Sequence, residues 1–201
     1  MNAKAINSAS FPHIAVIVLA AGASTRLGTP KQLLKYNGIT LLRKTIETAL
    51  LSKVKSVYVV FGCEAEKMKV EVSDLSVDVV VNPNWQRGIS TSIRSGIQSL
   101  EPNIDAAIIV LCDQPKLSTD ILNTLIDTYT STRASIITCK YAGTVGVPAL
   151  FDRRIFPELL SLEGNLGAKK IIEWYMKERI EIDFLGGEID IDTIADQKQI
   201  S

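Results

Sequence analysis

Short apolar runs alternate along this chain with stretches of helical spacing, and that rhythm limits the folds open to it. Residues 14–19, 56–61, 77–81, 105–111 and 134–139 are strand-length runs of the kind buried on both faces. Between them, 41–51, 64–72, 87–100 and a segment from Ser118 to about 129 repeat their apolar residues at helical spacing, with Thr40 and Ser118 placed as caps. The alternation predicts βαβ units and therefore an α/β fold. Its sheet should be mostly parallel and doubly wound, with helices on both faces and right-handed crossovers. After residue 145 the rhythm changes. The run 146–151 contains Pro148, which places that strand at an edge or a bulge. A helix over 155–162, a turn at 164–167, a helix over 168–177 and a strand over 180–185 then extend the sheet at its C-terminal edge. No linker, repeat or low-complexity tract interrupts the chain, so 14–201 reads as a single domain behind a loose tail of residues 1–13.

Composition narrows the classes of partner. At 201 residues the chain can bury a substantial core. Lys plus Arg and Asp plus Glu balance at 22 each, so no global basic field exists for nucleic acid or an acidic membrane, and neither is expected as a partner. Any anion site must be local. Cys63, Cys112 and Cys139 are odd in number and widely spaced, which argues against a disulfide framework or a zinc site and suits a cytoplasmic location. Lys4, the run 14–19 and Ala21-Gly22-Ala23 imitate a signal peptide, but cleavage there would discard a strand that the pattern needs. No apolar run approaches a membrane span.

In such a sheet, ligands bind beyond the carboxyl ends of the strands, so the loops 20–31, 82–92 and 112–118 should converge. The first loop is built from small residues and then delivers two cations, Arg26 and Lys31. Small residues let backbone N–H groups approach an anion, and fixed positive charge suits a polyphosphate. Leu19, Ala20, Ala21, Gly22, Ser24, Arg26 and Lys31 are therefore candidate nucleoside triphosphate contacts; taken singly, the two cations could also be surface charges. The spacing of Gly22, Gly28 and Thr29 does not match a Walker A loop, and no G-x-G-x-x-G is present. Asp113, at the end of a strand and before Gln-Pro, suits Mg2+ or a turn. Asp192, with Asp190 nearby, is either the second metal carboxylate or a helix cap. Asn82, Gly88 and Ser92 mark a polar helix start beside the first loop, and Trp85 could be core. His13, the only histidine, precedes the first strand and is expected to be inert, so no base exists to activate Cys112. A reaction whose nucleophile is already an ionised phosphate oxygen needs no such base.

Leu19-Ala-Ala-Gly-Ala-Ser-Thr-Arg-Leu-Gly-Thr-Pro-Lys-Gln-Leu-Leu34 closely resembles the signature of the MobA-like nucleotidyltransferases, and most of all their molybdenum cofactor cytidylyltransferase branch. Asn82-Pro-x-Trp-x-x-Gly88, Asp113-Gln-Pro115, Gly146-Val-Pro-Ala-Leu-Phe151, Gly164-x-x-Gly-Ala168 and Asp190-Ile-Asp-Thr193 follow in family order. The resemblance implies a Rossmann-like three-layer nucleotidyltransferase with Arg26, Lys31 and Asp113 as its catalytic residues. Loop 20–31 would hold the triphosphate, Gly88 and Ser92 would lie near the base, and Asp113 and Asp192 would hold Mg2+. Segment 146–151 would face a phosphate-bearing acceptor, molybdopterin in that branch, with a molybdoenzyme as client. Ala21, where guanylyl relatives carry Gly, favours CTP. A sugar- or alcohol-phosphate acceptor and a nucleotide-binding cofactor carrier without turnover are the alternatives. Leu27 and Ile89 replace the usual Met, Asn165 the usual Asp and Ile194 the usual Pro.

Overall fold

The computed structural model of the protein describes residues 11–24 and 30–190. In chain order the elements are β1 (Ile14–Ala20), a 3-10 turn (Lys31–Leu33), β2 (Lys35–Tyr36), β3 (Ile39–Thr40), α1 (Leu41–Leu50), β4 (Ser56–Phe61), α2 (Ala65–Glu71) and β5 (Asp78–Val81). A 3-10 turn (Trp85–Arg87), α3 (Ile89–Gln98), β6 (Ala106–Leu111), α4 (Thr119–Thr132), β7 (Ile136–Tyr141) and β8 (Thr144–Asp152) follow. The last are a 3-10 turn (Arg153–Ile155), α5 (Phe156–Leu160), α6 (Ala168–Trp174) and β9 (Ile180–Asp183). Among the described residues, seven strands form one sheet in the order β5-β4-β1-β6-β8-β7-β9. Every pairing in it is parallel except the two made by β8.

The period-2 geometry of β1 sorts its buried residues into two cores. Val16, Val18 and Ala20 pack with Leu42 and Ile46 of α1, Met68 of α2 and Leu122 and Leu125 of α4. Ala15, Ile17 and Leu19 pack with Ile93 and Ile97 of α3, Leu159 of α5 and Ile171 of α6. Helices thus cover both faces, and the expected doubly wound α/β architecture, with β9 as a C-terminal edge strand, is present. Thr40 and Ser118 cap α1 and α4 through their side chains, as their positions predict.

Of the two forms expected for the Pro148 strand, an edge or a bulge, the structure has the bulge. The proline-bearing strand β8 is not at an edge but lies between β6 and β7. A missing N–H is tolerated there because the ladder to β7 skips: Ala149 faces Thr138, the next pair is Gly146 with Cys139, and Val147 and cis Pro148 bulge out unpaired. Pairing with β6 ends at Ala149, so Pro148 deprives neither neighbour of a ladder bond. The orphaned Val147 carbonyl accepts from Tyr141 Oη at 3.0 Å and Gln114 Nε2 at 3.1 Å.

Candidate active site

β1 and β6 are parallel neighbours, with Leu19 in register with Leu111, while β4 and β5 lie on the other side of β1. Strand order reverses here, and a crevice opens beyond the carboxyl ends at such a point. A cleft of 390 Å³ occupies it. Leu19, Ala21, Gly22, Lys31, Gly88, Ser92 and Asp113 of the candidate set line it, together with Trp85, Gln86 and Asn165. All three converging loops contribute, as the topology predicts. Trp85 is therefore a wall residue rather than core.

The first loop is tied by Gln32, a residue that nothing in the sequence singles out. Gln32 is 1% exposed. Its Nε2 donates to the carbonyls of Ala20 (3.1 Å) and Gly22 (2.8 Å), and its Oε1 accepts from Ser24 Oγ at 3.4 Å. Ser24 Oγ also accepts from Lys31 N at 2.9 Å, with Ser24 in the left-handed region at φ 50°. A non-glycine residue at such a φ is held by its surroundings, and these bonds hold it. The 3-10 turn that places Lys31 is thus anchored to the end of β1. Ser24 and Ala20 act here as loop ties, and neither is among the lining residues. A Cβ on Gly22 would meet nothing within 4 Å, so this backbone faces open space that a ligand can enter.

Lys31 Nζ donates to Asp113 Oδ2 at 2.5 Å across the cleft. Asp113 is 9% exposed, and its Oδ1 is buried without a hydrogen-bond partner among the described residues. A buried carboxylate oxygen left open is costly unless a cation or donor completes it, so Asp113 fits a metal ligand. The next residue, Gln114, donates to Gly187 O at 3.1 Å as well as to Val147 O, clipping the turn after β9 to the Asp113 loop. A Cβ on Gly187 would come within 2.7 Å of the Tyr141 ring. Burial raises the Tyr141 hydroxyl pKa, and the nearby negative charges of Asp190 and Asp113 raise it further. The clip therefore brings the 186–190 turn to the Asp113 side of the sheet. Asp192 and Arg26 lie outside the described residues.

The other wall starts at Asn82, which is buried and does not line the cleft. Its Nδ2 donates to Thr91 Oγ1 (2.8 Å) and Ser92 Oγ (3.0 Å), and its Oδ1 accepts from Asn84 N at 2.9 Å. Asn82 thus sets the start of α3, and Ser92 with it, from behind. Gly88 sits at φ +108°, and a Cβ there would overlap Gly164 O. Only glycine lets the 164–165 turn close on α3. Burial pushes the Cys112 thiol up to about 12, so it supplies no thiolate. His13 lies at the opposite end of β1 from the cleft, its backbone N–H bonded to Asp105. Among the described residues no group of three His, Cys, Asp or Glu side chains could hold a metal.

The MobA-like NTP transferase domain matches residues 16–180. The chain is 28% identical to nicotine blue oxidoreductase of Paenarthrobacter nicotinovorans, over 91% of this chain and 94% of that one. It is also 28% identical to purine catabolism protein PucB of Bacillus subtilis, over 81% and 82%. The crystal structure of Rv0371c from Mycobacterium tuberculosis H37Rv superposes with a TM-score of 0.85 at 32% identity, covering 94% of this chain and 97% of that one. Its complex with manganese gives 0.80 at 30%, with the same coverage. No helix among the described residues is long and apolar enough to cross a membrane. Because the matched span contains every residue lining the cleft, the chain belongs to the MobA-like NTP transferase family and is a nucleotidyltransferase.

Proposed function

We propose that this protein is a Mg2+-dependent cytidylyltransferase that moves CMP from CTP onto a phosphate of a molybdopterin-type cofactor and releases pyrophosphate. The observation that carries the reading is the meeting of Lys31, on a small-residue loop, with the half-satisfied carboxylate of Asp113 in one cleft. An ionised phosphate oxygen of the acceptor attacks the α-phosphorus of CTP; the bond to the β-phosphate breaks and its electrons leave with pyrophosphate. No proton has to be removed from the nucleophile, which suits a cleft with neither histidine nor thiolate among its described residues. Lys31 and Arg26 are assigned to the triphosphate, where a fixed ammonium and guanidinium neutralise charge as it moves to the leaving group. Asp113, with Asp192 as the second carboxylate, is assigned to Mg2+, which when bound shields the phosphate oxygens. The manganese complex of Rv0371c supports a divalent ion.

Gly88 and Ser92 are assigned to the base, in a cleft that Leu19 and Ala21 also line. Ala21 adds a methyl to that wall, and discrimination at that scale is worth about 1–3 kcal/mol, a lean towards CTP. Three free cysteines suit work in a reducing cytoplasm, with a molybdoenzyme as the client for the product. Pyrophosphate release tests the reading: purified protein is given each NTP with Mg2+, with and without molybdopterin, and with a sugar phosphate instead. CTP with molybdopterin should give release well above every other pair. Nucleotide binding without release from any pair would overturn the enzymatic assignment in favour of a carrier.

A further inference from the structure

A second cationic crevice lies behind the wall formed by Gly88 and the 164–165 turn. Arg87, Thr91 and Arg94 line both a 260 Å³ cavity and an adjoining 280 Å³ one, so the two guanidiniums border the same space. Asn84, Ser95 and Gln98 continue the first cavity, and among the described residues no apolar side chain lines it. Glu163 is the acidic residue in the second, and it forms no ion pair with either arginine. Arg94 is half-buried, yet its guanidinium makes no hydrogen bond or ion pair with any described residue; the side chains of Arg87, Asn84 and Gln98 are equally open. The Arg94 guanidinium thus has its donors open to a ligand oxygen in the crevice. Thr91 Oγ1, by contrast, is engaged, bonding the carbonyls of Asn84 and Gly88. The unused donors around this space, two guanidiniums and two amide NH2 groups, outnumber the unused acceptors, two amide oxygens and the Glu163 carboxylate.

We propose that the Arg87–Arg94 crevice is a binding site for a phosphate group, separate from the nucleotide cleft. Two guanidinium forks and two side-chain amides match a tetrahedral oxyanion with several acceptor oxygens, which a single carboxylate would leave partly unserved. The site is coupled to the cleft by position. Gly164 lines the crevice, its carbonyl accepts from Ser90 N at 3.2 Å, and its neighbour Asn165 lines the cleft. This inference does not depend on the choice of nucleotide or acceptor.

Titration calorimetry with inorganic phosphate and with glycerol phosphate tests it, using Lys31→Ala protein as the parent so that the cleft contributes little. The parent should bind phosphate, and Arg87→Gln/Arg94→Gln in that background should bind it roughly tenfold more weakly. Equal affinity for the two probes would identify free phosphate as the occupant, and tighter glycerol phosphate a phosphorylated metabolite; both support the site. Arg87→Gln alone, at an exposed position, gives the same direction of change should the double variant fail to fold. Phosphate binding that is absent from the parent, or unchanged in the arginine variants, overturns the proposal.

Discussion

Lys31 and Asp113 meet across the cleft, where each carries the charge that its proposed partner, the triphosphate or the metal, calls for. Lys31→Ala should raise the Kd for CTP by tenfold or more, read by titration, because a charge-assisted contact to phosphate is worth roughly 1.5–3 kcal/mol. Asp113→Ala should abolish metal-dependent turnover while the circular dichroism spectrum stays native, and retained turnover would refute the metal assignment. Gln32→Leu keeps the side-chain volume but strips the partners from the Ala20 and Gly22 carbonyls. CTP binding should weaken severalfold in that variant, and an unchanged Kd would show that the loop holds its shape without the tie. The charged residues of this site are legible as sequence because charge beside small residues at a strand end has few structural uses. Gln32 is not, since a buried amide bridging two carbonyls looks on paper like any surface glutamine. Asn82 misleads in the opposite way: it stands in the right loop, but its amide is consumed in building α3.

Among the elements, α3 shows how the backbone places the wall of the cleft. Gly88→Ala would drive a methyl into Gly164 O from a residue at φ +108°. About 3 kcal/mol of destabilisation follows from strain and overlap together, measurable as a fall in the urea midpoint. An unchanged midpoint would mean that the 164–165 turn yields freely. The strand–helix rhythm exposes nearly every long element, because a strand-length apolar run flanked by helical spacing has one common home, the interior of a parallel sheet. Short elements escape it. Asn37-Gly38, with φ of 52° and 87°, closes the β2–β3 hairpin, and the dipeptide is the available signal for it. Pro148 points to the bulge but not to an interior strand, since the skipped ladder that accommodates it depends on the partner strand β7.

For the whole molecule, stability links helix to sheet through Tyr129 of α4 and Asp152 at the end of β8, whose Oη and Oδ2 are 2.7 Å apart. Burial alone would raise the Asp152 carboxyl, but bonds from Arg154 and Tyr129 outweigh it and hold the group below its ordinary value of 3.8. That stabilisation is present above the ordinary value and is lost as pH falls beneath it. Burial, then the bond to Asp152, pushes Tyr129 from 10 up to about 12, so its share is present below pH 10 and is lost as pH rises towards 12. Tyr129→Phe should cost about 1–2 kcal/mol near neutrality. Its acid unfolding should begin at higher pH, and its alkaline loss should shrink by the share of Tyr129; an unshifted acid limb would contradict the pairing. The mostly parallel sheet is legible in the sequence, but its strand order and the antiparallel return of β8 are long-range choices that no local pattern records. The central claim concerns where the nucleotide sits, and crystals soaked with CTP and Mg2+ test it most directly. Density for the triphosphate along loop 20–31 and Lys31, the base between Ala21 and Gly88, and a metal on Asp113 is the predicted result. Nucleotide bound elsewhere, with this cleft empty, would contradict it.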